Sequence, residues 1–169
     1  LILGGARSGK SRAAEDLVTA APSPWIYIAT AQAFDAEMRE RIARHRARRG
    51  AGWQTVEAPR DLARAVRSAP AQAPVLVDCL TLWLSNLLLA DLDAADLEQA
   101  MADLDQALGR RIAPTILVSN EVGLGIVPDH PLGRRFRDAA GRLHQHLAAR
   151  ADRVLFMVAG LPLVVKGEK

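Results

Sequence analysis

Leu1-Ile2-Leu3-Gly4-Gly5-Ala6-Arg7-Ser8-Gly9-Lys10-Ser11 opens the chain, and its last eight residues match the pattern G-x-x-x-x-G-K-S. The apolar residues before the pattern predict a short strand. After it, small and apolar side chains recur at helical spacing, which predicts a helix from Lys10 to about Ala21. A strand followed by this loop and a helix is the context in which the pattern indicates a phosphate-binding loop. A chance Gly/Ser-rich turn would not require the flanking strand and helix.

The predicted loop has the chemistry to bind a nucleoside triphosphate. Its glycines allow backbone N–H groups to surround an anion, and the start of the helix adds the positive end of a dipole. Lys10 is expected to reach the β- and γ-phosphates as a catalytic cation, and the Ser11 hydroxyl to ligate Mg²⁺. The nucleotide-binding residues predicted here are Gly4, Gly5, Ala6, Arg7, Ser8, Gly9, Lys10 and Ser11.

Length and composition indicate one globular domain over residues 1–169, since half of the residues are hydrophobic and 24% are charged. The only cysteine, Cys79, excludes internal disulfides and a cysteine-based zinc site. The longest apolar stretch, Leu80 to Ala90, is too short for a bilayer, which needs about 20 apolar residues. We therefore expect a cytoplasmic protein without a membrane span.

The excess positive charge is concentrated in two arginine-rich segments, residues 39–49 and 134–142, although the net charge is only +3. Such clusters are one mark of a nucleic-acid-binding protein. Few aromatic residues are available for base stacking, however, because the whole chain contains three Trp, one Tyr and three Phe. Binding of a nucleotide polyphosphate, or simple solvation, explains the arginines with fewer assumptions. We expect no nucleic-acid partner.

Strand and helix patterns alternate along the chain, and the strands are continuous apolar runs. This arrangement predicts a three-layer α/β fold of the P-loop type, with a mostly parallel sheet and helices on both faces. Strands are predicted at residues 1–3, 25–30, 53–56, 74–78, 115–118 and 153–159, with an edge strand at 163–165. Helices are predicted at residues 10–21, 35–46, 61–67, 80–89, 96–108 and 132–149. The helix at 80–89 is apolar nearly all round, so it is expected to be buried. The last helix is expected to point Leu132, Phe136, Leu143 and Leu147 inward.

Polar residues follow three other strands, where ligands bind in such sheets. Asp78 ends one strand and is the expected partner of Ser11 at Mg²⁺, although an Asp there also suits the N-cap of the next helix. Thr30 is a candidate for contact with nucleotide or magnesium. Asn120 and Glu121 follow a third strand, where loop capping and substrate contact are equally consistent with the sequence.

His45 is the histidine with a possible chemical role. It continues the apolar face of the helix predicted at residues 35–46, a position typical of a structural histidine. Its arginine neighbours would lower its pKa and favour the neutral ring, which can attack phosphorus. The sequence pattern leaves both interpretations open. His144 and His146 are predicted to lie on the surface, and His130 carries no signal.

Several further segments, taken together with the loop at residues 4–12, resemble the bifunctional adenosylcobinamide kinase/adenosylcobinamide-phosphate guanylyltransferases of cobalamin biosynthesis. The similarity spans essentially the whole chain in order, and this set of motifs is far more specific than a phosphate-binding loop alone. The segments are Tyr27-Ile28-Ala29-Thr30-Ala31, Glu37-Met38, Arg41-Ile42-x-x-His45-Arg46-x-x-Arg49, Trp53-x-Thr55-x-Glu57, Asp78-Cys79-Leu80-Thr81, Asn120-Glu121-Val122-Gly123-x-Gly125-Ile126-Val127-Pro128 and Phe136-Arg137-Asp138-x-Ala140-Gly141.

The resemblance implies two reactions on one substrate. ATP or GTP first phosphorylates adenosylcobinamide, and GTP then donates GMP to the resulting adenosylcobinamide phosphate through a GMP-histidine intermediate at the position of His45. Many relatives carry Glu where this chain has Asp78, so its contact with Mg²⁺ can be through water. The resemblance also implies a RecA-like sheet and, because members of the family can assemble as trimers, a homo-oligomer. Beyond the loop, the implied nucleotide site comprises Ala29, Thr30, Ala31, Arg46, Ala47, Arg48, Arg49, Glu57 and Asp78.

Two alternatives remain at this stage. In the first, the chain is a monofunctional small-molecule kinase in which His45 only packs. In the second, it is a nucleotide-dependent nucleic-acid binder that uses the arginines of residues 39–49. The sequence does not distinguish ATP from GTP in the kinase step, and no segment marks the corrinoid site. The Gly/Pro-containing loop from Glu121 to Pro131 is expected to face the substrate.

Overall fold

The computed structural model describes residues 1–33, 36, 39–40, 43, 47, 49–90 and 92–168. Strands and helices alternate along these residues, as the sequence predicts. The helix predicted at residues 35–46 falls largely outside them. The elements are β1 (Ile2–Gly4), α1 (Lys10–Thr19), β2 (Trp25–Ala29), β3 (Trp53–Glu57), α2 (Leu62–Ser68), β4 (Val75–Asp78), α3 (Leu80–Leu88), α4 (Ala94–Gly109), β5 (Thr115–Val118), α5 (Pro131–Arg150), β6 (Val154–Val158) and β7 (Leu161–Lys166).

The strands form one seven-stranded sheet in the order β3-β2-β4-β5-β1-β6-β7. All neighbouring pairs are parallel except β6 and β7, which are antiparallel. The predicted edge strand at residues 163–165 is therefore confirmed, and it is longer than predicted. The phosphate-loop strand β1 lies between β5 and β6, so the residues that follow β5 are next to the phosphate loop.

Each face of the sheet carries its own apolar core, because successive residues of a strand point to opposite sides. Tyr27 of β2 and Leu76 of β4 pack with α1, whereas Ile26 and Ile28 of β2 pack with α2 to α5. Helices thus cover both faces, which confirms the predicted three-layer architecture. This burial on both faces explains why the parallel strands read as uninterrupted apolar runs.

Helix α3 is buried on nearly all sides, since seven of its nine residues are buried. Trp83 is fully buried, and its indole N–H donates to the carbonyl of Arg60, two residues before α2, at 2.8 Å. The prediction of a buried helix here is confirmed. In the described part of the chain, no helix is both long and apolar enough to cross a membrane.

One predicted core position of α5 is wrong. Leu132 was expected to point inward, and it is 37% exposed. The first turn of α5 packs on the preceding loop rather than on the sheet, since a Cβ atom at Gly133 would lie 2.9 Å from Cβ of Pro128. The inward face begins one turn later with Phe136, which is partly buried against the core, and continues with the buried Ala139, Ala140, Leu143 and Leu147.

Candidate active site

The carboxyl ends of the parallel strands bring the candidate residues to one edge of the sheet. Ala29 at the end of β2 is in register with Asp78 at the end of β4, and Asp78 is in register with Val118 of β5. Gly4 ends β1, and the carbonyl of Gly4 accepts a hydrogen bond from the Glu121 N–H at 3.0 Å. The ends of β2, β4, β5 and β1 therefore form a continuous rim around the phosphate loop.

The phosphate loop needs glycine at two positions where the backbone is in the left-handed half of φ space. At Gly4 (φ 148°), a Cβ atom would lie 2.5 Å from the carbonyl oxygen of Met157. At Gly9 (φ 97°), a Cβ atom would lie 3.2 Å from Cα of Gly160. The Gly160 N–H also donates to the carbonyl of Ser8 at 3.0 Å. The β6–β7 turn thus supports the loop from behind, and only glycine fits between them.

Lys10 begins α1 and lies inside the loop, where only 7% of it is exposed. Its Nζ donates to the Gly5 carbonyl at 2.5 Å and contacts Ser8 Oγ at 3.4 Å. Gly9 has no side chain to cap the helix, so the N–H groups of the first turn are left for an anion. Ser11 is the second residue of this helix. The loop therefore combines a buried cation, a helix N-terminus and a hydroxyl at one place.

Asp78 is tied to β2 and to a predicted nucleotide-site arginine through Tyr27. The Tyr27 hydroxyl donates to Asp78 Oδ2 at 3.0 Å. The Arg49 guanidinium lies 3.4 Å from the centroid of the Tyr27 ring, and the Trp53 ring meets the same ring edge-on at 6.1 Å. Burial, and next the charge of Asp78, raise the pKa of Tyr27 far above its usual value. Tyr27 therefore stays protonated and acts as a donor to Asp78.

The interpretation of Asp78 as a helix N-cap is wrong. Cys79 is the N-cap residue of α3, and the helix begins at Leu80. Cys79 is extended, so Asp78 still belongs to β4 and its carboxylate turns toward Tyr27 rather than toward the first turn of α3.

Thr30 is fully buried, and its hydroxyl bridges both backbone groups of Cys79. It donates to the Cys79 carbonyl at 2.7 Å and accepts from the Cys79 N–H at 2.8 Å. The amide of Asn86 donates to the Thr30 carbonyl and to the Pro59 carbonyl, each at 2.8 Å. These bonds fix the backbone that carries Asp78. Sequence reasoning missed Asn86, although an amide inside an otherwise apolar helix was a usable signal.

A second polar cluster lies at the end of β5 and was also missed. His144 of α5 was predicted to lie on the surface, and that prediction is wrong, since it is only 6% exposed. Its Nε2 lies 2.8 Å from Ser119 Oγ, and its Nδ1 lies 3.5 Å from Glu121 Oε2. Burial lowers the pKa of His144, while Glu121 acts in the opposite direction. The ring follows Ala140 and precedes Leu147 at helical spacing, and this apolar face was the signal for burial.

Glu57 and Ala31 lie at the β2–β3 side of the rim. Glu57 ends β3 and pairs in register with Ala29. Ala31 follows β2 and is half-buried, whereas Ala47 is exposed. His45, Arg46 and Arg48 lie outside the described residues. His146, unlike His144, agrees with the surface prediction: its side chain is 51% exposed and contacts Asp105 at 3.2 Å.

Comparison with solved structures supports the fold. The chain is similar to a protein of Pyrococcus horikoshii OT3 with a TM-score of 0.57, at 10% sequence identity, over 99% of this chain and 85% of that one. At this identity the likeness concerns the fold alone.

Sequence comparisons identify the family as well as the fold. The chain is 57% identical to the bifunctional adenosylcobalamin biosynthesis protein CobP of Pseudomonas aeruginosa, over 99% of this chain and 97% of that protein. It is 44% identical to the bifunctional adenosylcobalamin biosynthesis protein CobU of Salmonella typhimurium, over 98% of each. Residues 1–165 match the family described as cobinamide kinase / cobinamide phosphate guanyltransferase. The chain therefore belongs to the cobinamide kinase / cobinamide phosphate guanyltransferase family.

Proposed function

We propose that this chain catalyses both reactions for which its family is named. It would phosphorylate adenosylcobinamide with ATP or GTP, and then transfer GMP from GTP to adenosylcobinamide phosphate, giving adenosylcobinamide-GDP. The observation that carries the proposal is the phosphate loop with its buried Lys10, set beside Asp78 at the rim of a sheet whose sequence matches the family over residues 1–165.

The second reaction is proposed to pass through a GMP adduct of His45. A ring nitrogen of His45 would attack the α-phosphorus of GTP, forming a P–N bond as pyrophosphate leaves. A phosphate oxygen of the substrate would then displace the histidine and take the GMP. Support comes from the resemblance of the segment at residues 41–49 and from its arginines, which suit a triphosphate. Two easier transfers thereby replace one difficult transfer.

Mg²⁺ is the proposed metal, and the donor set fits it. Ser11 and Asp78 offer the hard oxygen ligands that this ion prefers, and it needs few protein ligands because phosphates and water complete its shell. In the described part of the chain, no group of three or more His, Cys, Asp or Glu side chains forms a competing metal site. Bound Mg²⁺ would neutralise charge on the phosphates. Because Tyr27 occupies Oδ2, Asp78 would approach the ion through Oδ1 or through water.

The guanine-nucleotide site is proposed to extend from the phosphate loop toward β2 and β3. The proposal is supported by the contact of Arg49 with the Tyr27 ring, whose hydroxyl donates to Asp78. Thr30 is proposed to act indirectly, because both hydrogen-bonding directions of its hydroxyl are used by Cys79. Besides the phosphate loop, the proposed site consists of Ala29, Thr30, Ala31, Arg46, Ala47, Arg48, Arg49, Glu57 and Asp78.

A homo-oligomer, a trimer by resemblance, is also proposed, acting in the cytoplasm where its nucleotide substrates are found. The supporting observation is the edge strand β7, on which Leu161, Leu163 and Val165 are each at least 60% exposed. Edge strands with exposed apolar side chains are suited to contacts between subunits. Light scattering on the purified protein would test it, and a monomeric mass would contradict it.

The experiment that tests the function uses GTP labelled at the α-phosphate, incubated with the protein and Mg²⁺ and followed by denaturation. Acid-labile label on the protein is expected, and it should be lost in His45→Ala but kept in His146→Ala, a matched surface histidine. A parallel reaction with γ-labelled nucleotide and adenosylcobinamide tests the kinase step. Kinase activity without α-label would leave the monofunctional kinase, the second candidate.

A further inference from the structure

The cluster around His144 forms a chain of contacts from α3 to the loop after β5. The Asn120 N–H donates to Thr81 Oγ1 at 2.6 Å, and Thr81 Oγ1 lies 3.1 Å from Ser119 Oγ. Ser119 Oγ lies 2.8 Å from His144 Nε2. His144 Nδ1 lies 3.5 Å from Glu121 Oε2, just beyond hydrogen-bond length.

The two ends of this chain set the direction of its protons. The Asn120 N–H can only donate, so Thr81 accepts there and its own proton is available to Ser119. Nδ1 of His144 faces the Glu121 carboxylate, which when ionised can only accept. This acceptor favours the tautomer that carries the ring proton on Nδ1 and accepts from Ser119 at Nε2. In the described part of the chain, Nδ1 is buried and has no hydrogen-bond partner.

The arrangement is not a hydrolytic triad, although serine, histidine and carboxylate follow one another. Ser119 is 1% exposed, so its oxygen cannot reach a substrate. Ser119 also lies in the chain as a donor to the ring, and its backbone N–H donates to the Ile2 carbonyl at 3.0 Å. Of the three groups, the Glu121 carboxylate is the one that reaches solvent, with 22% of its side chain exposed.

Glu121 lies directly beside the phosphate loop. Its backbone N–H donates to the carbonyl of Gly4, the first residue of the loop, at 3.0 Å. Its Oε1 accepts from the Gly123 N–H at 2.5 Å. The Gly123 N–H thus holds one oxygen of the carboxylate and His144 Nδ1 faces the other at 3.5 Å, at the rim where the phosphate loop follows β1.

We propose that Glu121 accepts the proton of the acceptor hydroxyl during phosphoryl transfer, and that His144 is a positioning residue that orients its carboxylate. The inference rests on the proposed kinase reaction. As the hydroxyl oxygen bonds to the γ-phosphorus, the bond from that phosphorus to the bridging oxygen breaks, and the nucleoside diphosphate leaves with its electron pair. The hydroxyl proton passes to the Glu121 carboxylate and from there to solvent.

The test measures kcat and KM for phosphorylation of adenosylcobinamide in the full chain. Glu121→Gln keeps an acceptor for the Gly123 N–H but no base, and kcat should fall about 10²- to 10⁴-fold, the usual contribution of a general base. The KM for nucleotide should stay close to that of the wild type. Added formate should restore part of the activity of Glu121→Ala and should leave the wild type unchanged.

His144 is tested with a matched pair of variants. His144→Leu should lower kcat about 10- to 100-fold, as expected when a reacting group is misplaced. His144→Asn can place an amide N–H near the position of Nδ1 and should recover part of that loss. His146→Asn, on the exposed side of the same helix, is the control. Thermal unfolding of each variant shows whether it is folded.

The outcomes separate this inference from the function on which it rests. Full kinase activity in Glu121→Gln, or no effect of formate on Glu121→Ala, would overturn the inference. An equal loss of GMP loading from GTP and of phosphorylation would also overturn it, since a base for the hydroxyl is needed only in the kinase step. No phosphorylation by the wild type would instead overturn the proposed function, and the inference with it.

Discussion

The Tyr27 hydroxyl donates a 3.0 Å hydrogen bond to Oδ2 of Asp78, across the two neighbouring strands β2 and β4. The ring that carries this hydroxyl is covered by the Arg49 guanidinium. One buried side chain thus connects the carboxylate proposed to serve Mg²⁺ with an arginine proposed to serve the nucleotide. We therefore expect a change at Asp78 or at Arg49 to affect the other residue through Tyr27. Replacing Tyr27 by Phe removes the hydroxyl and keeps the ring, so the contact with Asp78 can be tested alone.

Tyr27→Phe should weaken the dependence on Mg²⁺ while leaving the fold intact. The Phe ring still packs between Arg49 and Trp53, but Asp78 loses the donor that orients it. Loss of a partner that orients a metal ligand typically costs 10–100-fold in metal affinity, so the Mg²⁺ concentration for half-maximal activity should rise by about 10-fold or more. Activity measured against Mg²⁺ concentration checks this, and an unchanged curve would show that Asp78 needs no orientation from Tyr27.

Lys10→Ala should greatly lower the rate of phosphoryl transfer and change the unfolding temperature little. Removing one group that stabilises developing charge usually costs about 10²- to 10³-fold in rate. The Gly5 carbonyl that Lys10 bonds is part-buried, so it can accept from water instead. The kinase rate and the unfolding temperature should be measured on the same sample. If the unfolding temperature falls sharply together with the rate, the main role of Lys10 would be to stabilise the fold.

Thr30→Val should destabilise the protein, because it leaves the Cys79 N–H without its partner, whereas the Cys79 carbonyl still accepts from the Trp83 N–H at 3.2 Å. A buried group left unpaired costs about 1–3 kcal/mol, so the free energy of unfolding should fall by about 1–3 kcal/mol. Thr30→Ser keeps the hydroxyl and is the control. Urea denaturation of the two variants gives the difference. Equal stability of Val and Ser variants would contradict the role assigned to the hydroxyl.

The strands and helices could be predicted from the sequence because a sheet buried on both faces leaves continuous apolar runs separated by turn residues. The phosphate loop could be predicted for a similar reason, since its glycines, Lys10 and Ser11 stand at fixed spacing within residues 4–11. In both cases the physical constraint acts on neighbouring residues of the chain. The pairing of Tyr27 with Asp78 could not be predicted, because 51 positions separate the two residues.

The sequence analysis also did not predict the roles of His144 and Asn86, because their polar contacts join distant segments of the chain. His144 was predicted to lie on the surface, and nothing near it in sequence indicates Ser119 or Glu121 as a partner. Asn86 similarly bonds carbonyls 56 and 27 positions away. The side chains that orient the site therefore take their partners from distant segments, and these partners become visible only in the structure.

The burial of His144 should make the protein less stable in mild acid. Burial lowers the pKa of the ring below its usual 6.5, and this outweighs the opposite effect of Glu121. As pH falls through 6.5, the unfolded chain takes up a proton that the folded chain still excludes, so the unfolded state is favoured. The contribution is fully present above pH 6.5 and is lost below it, down to the pKa of the folded state. Urea denaturation at pH 7.5 and pH 5.5 should show a larger loss of stability for the wild type than for His144→Asn. His146→Asn should behave like the wild type, and an equal loss in all three proteins would show that His144 does not control this transition.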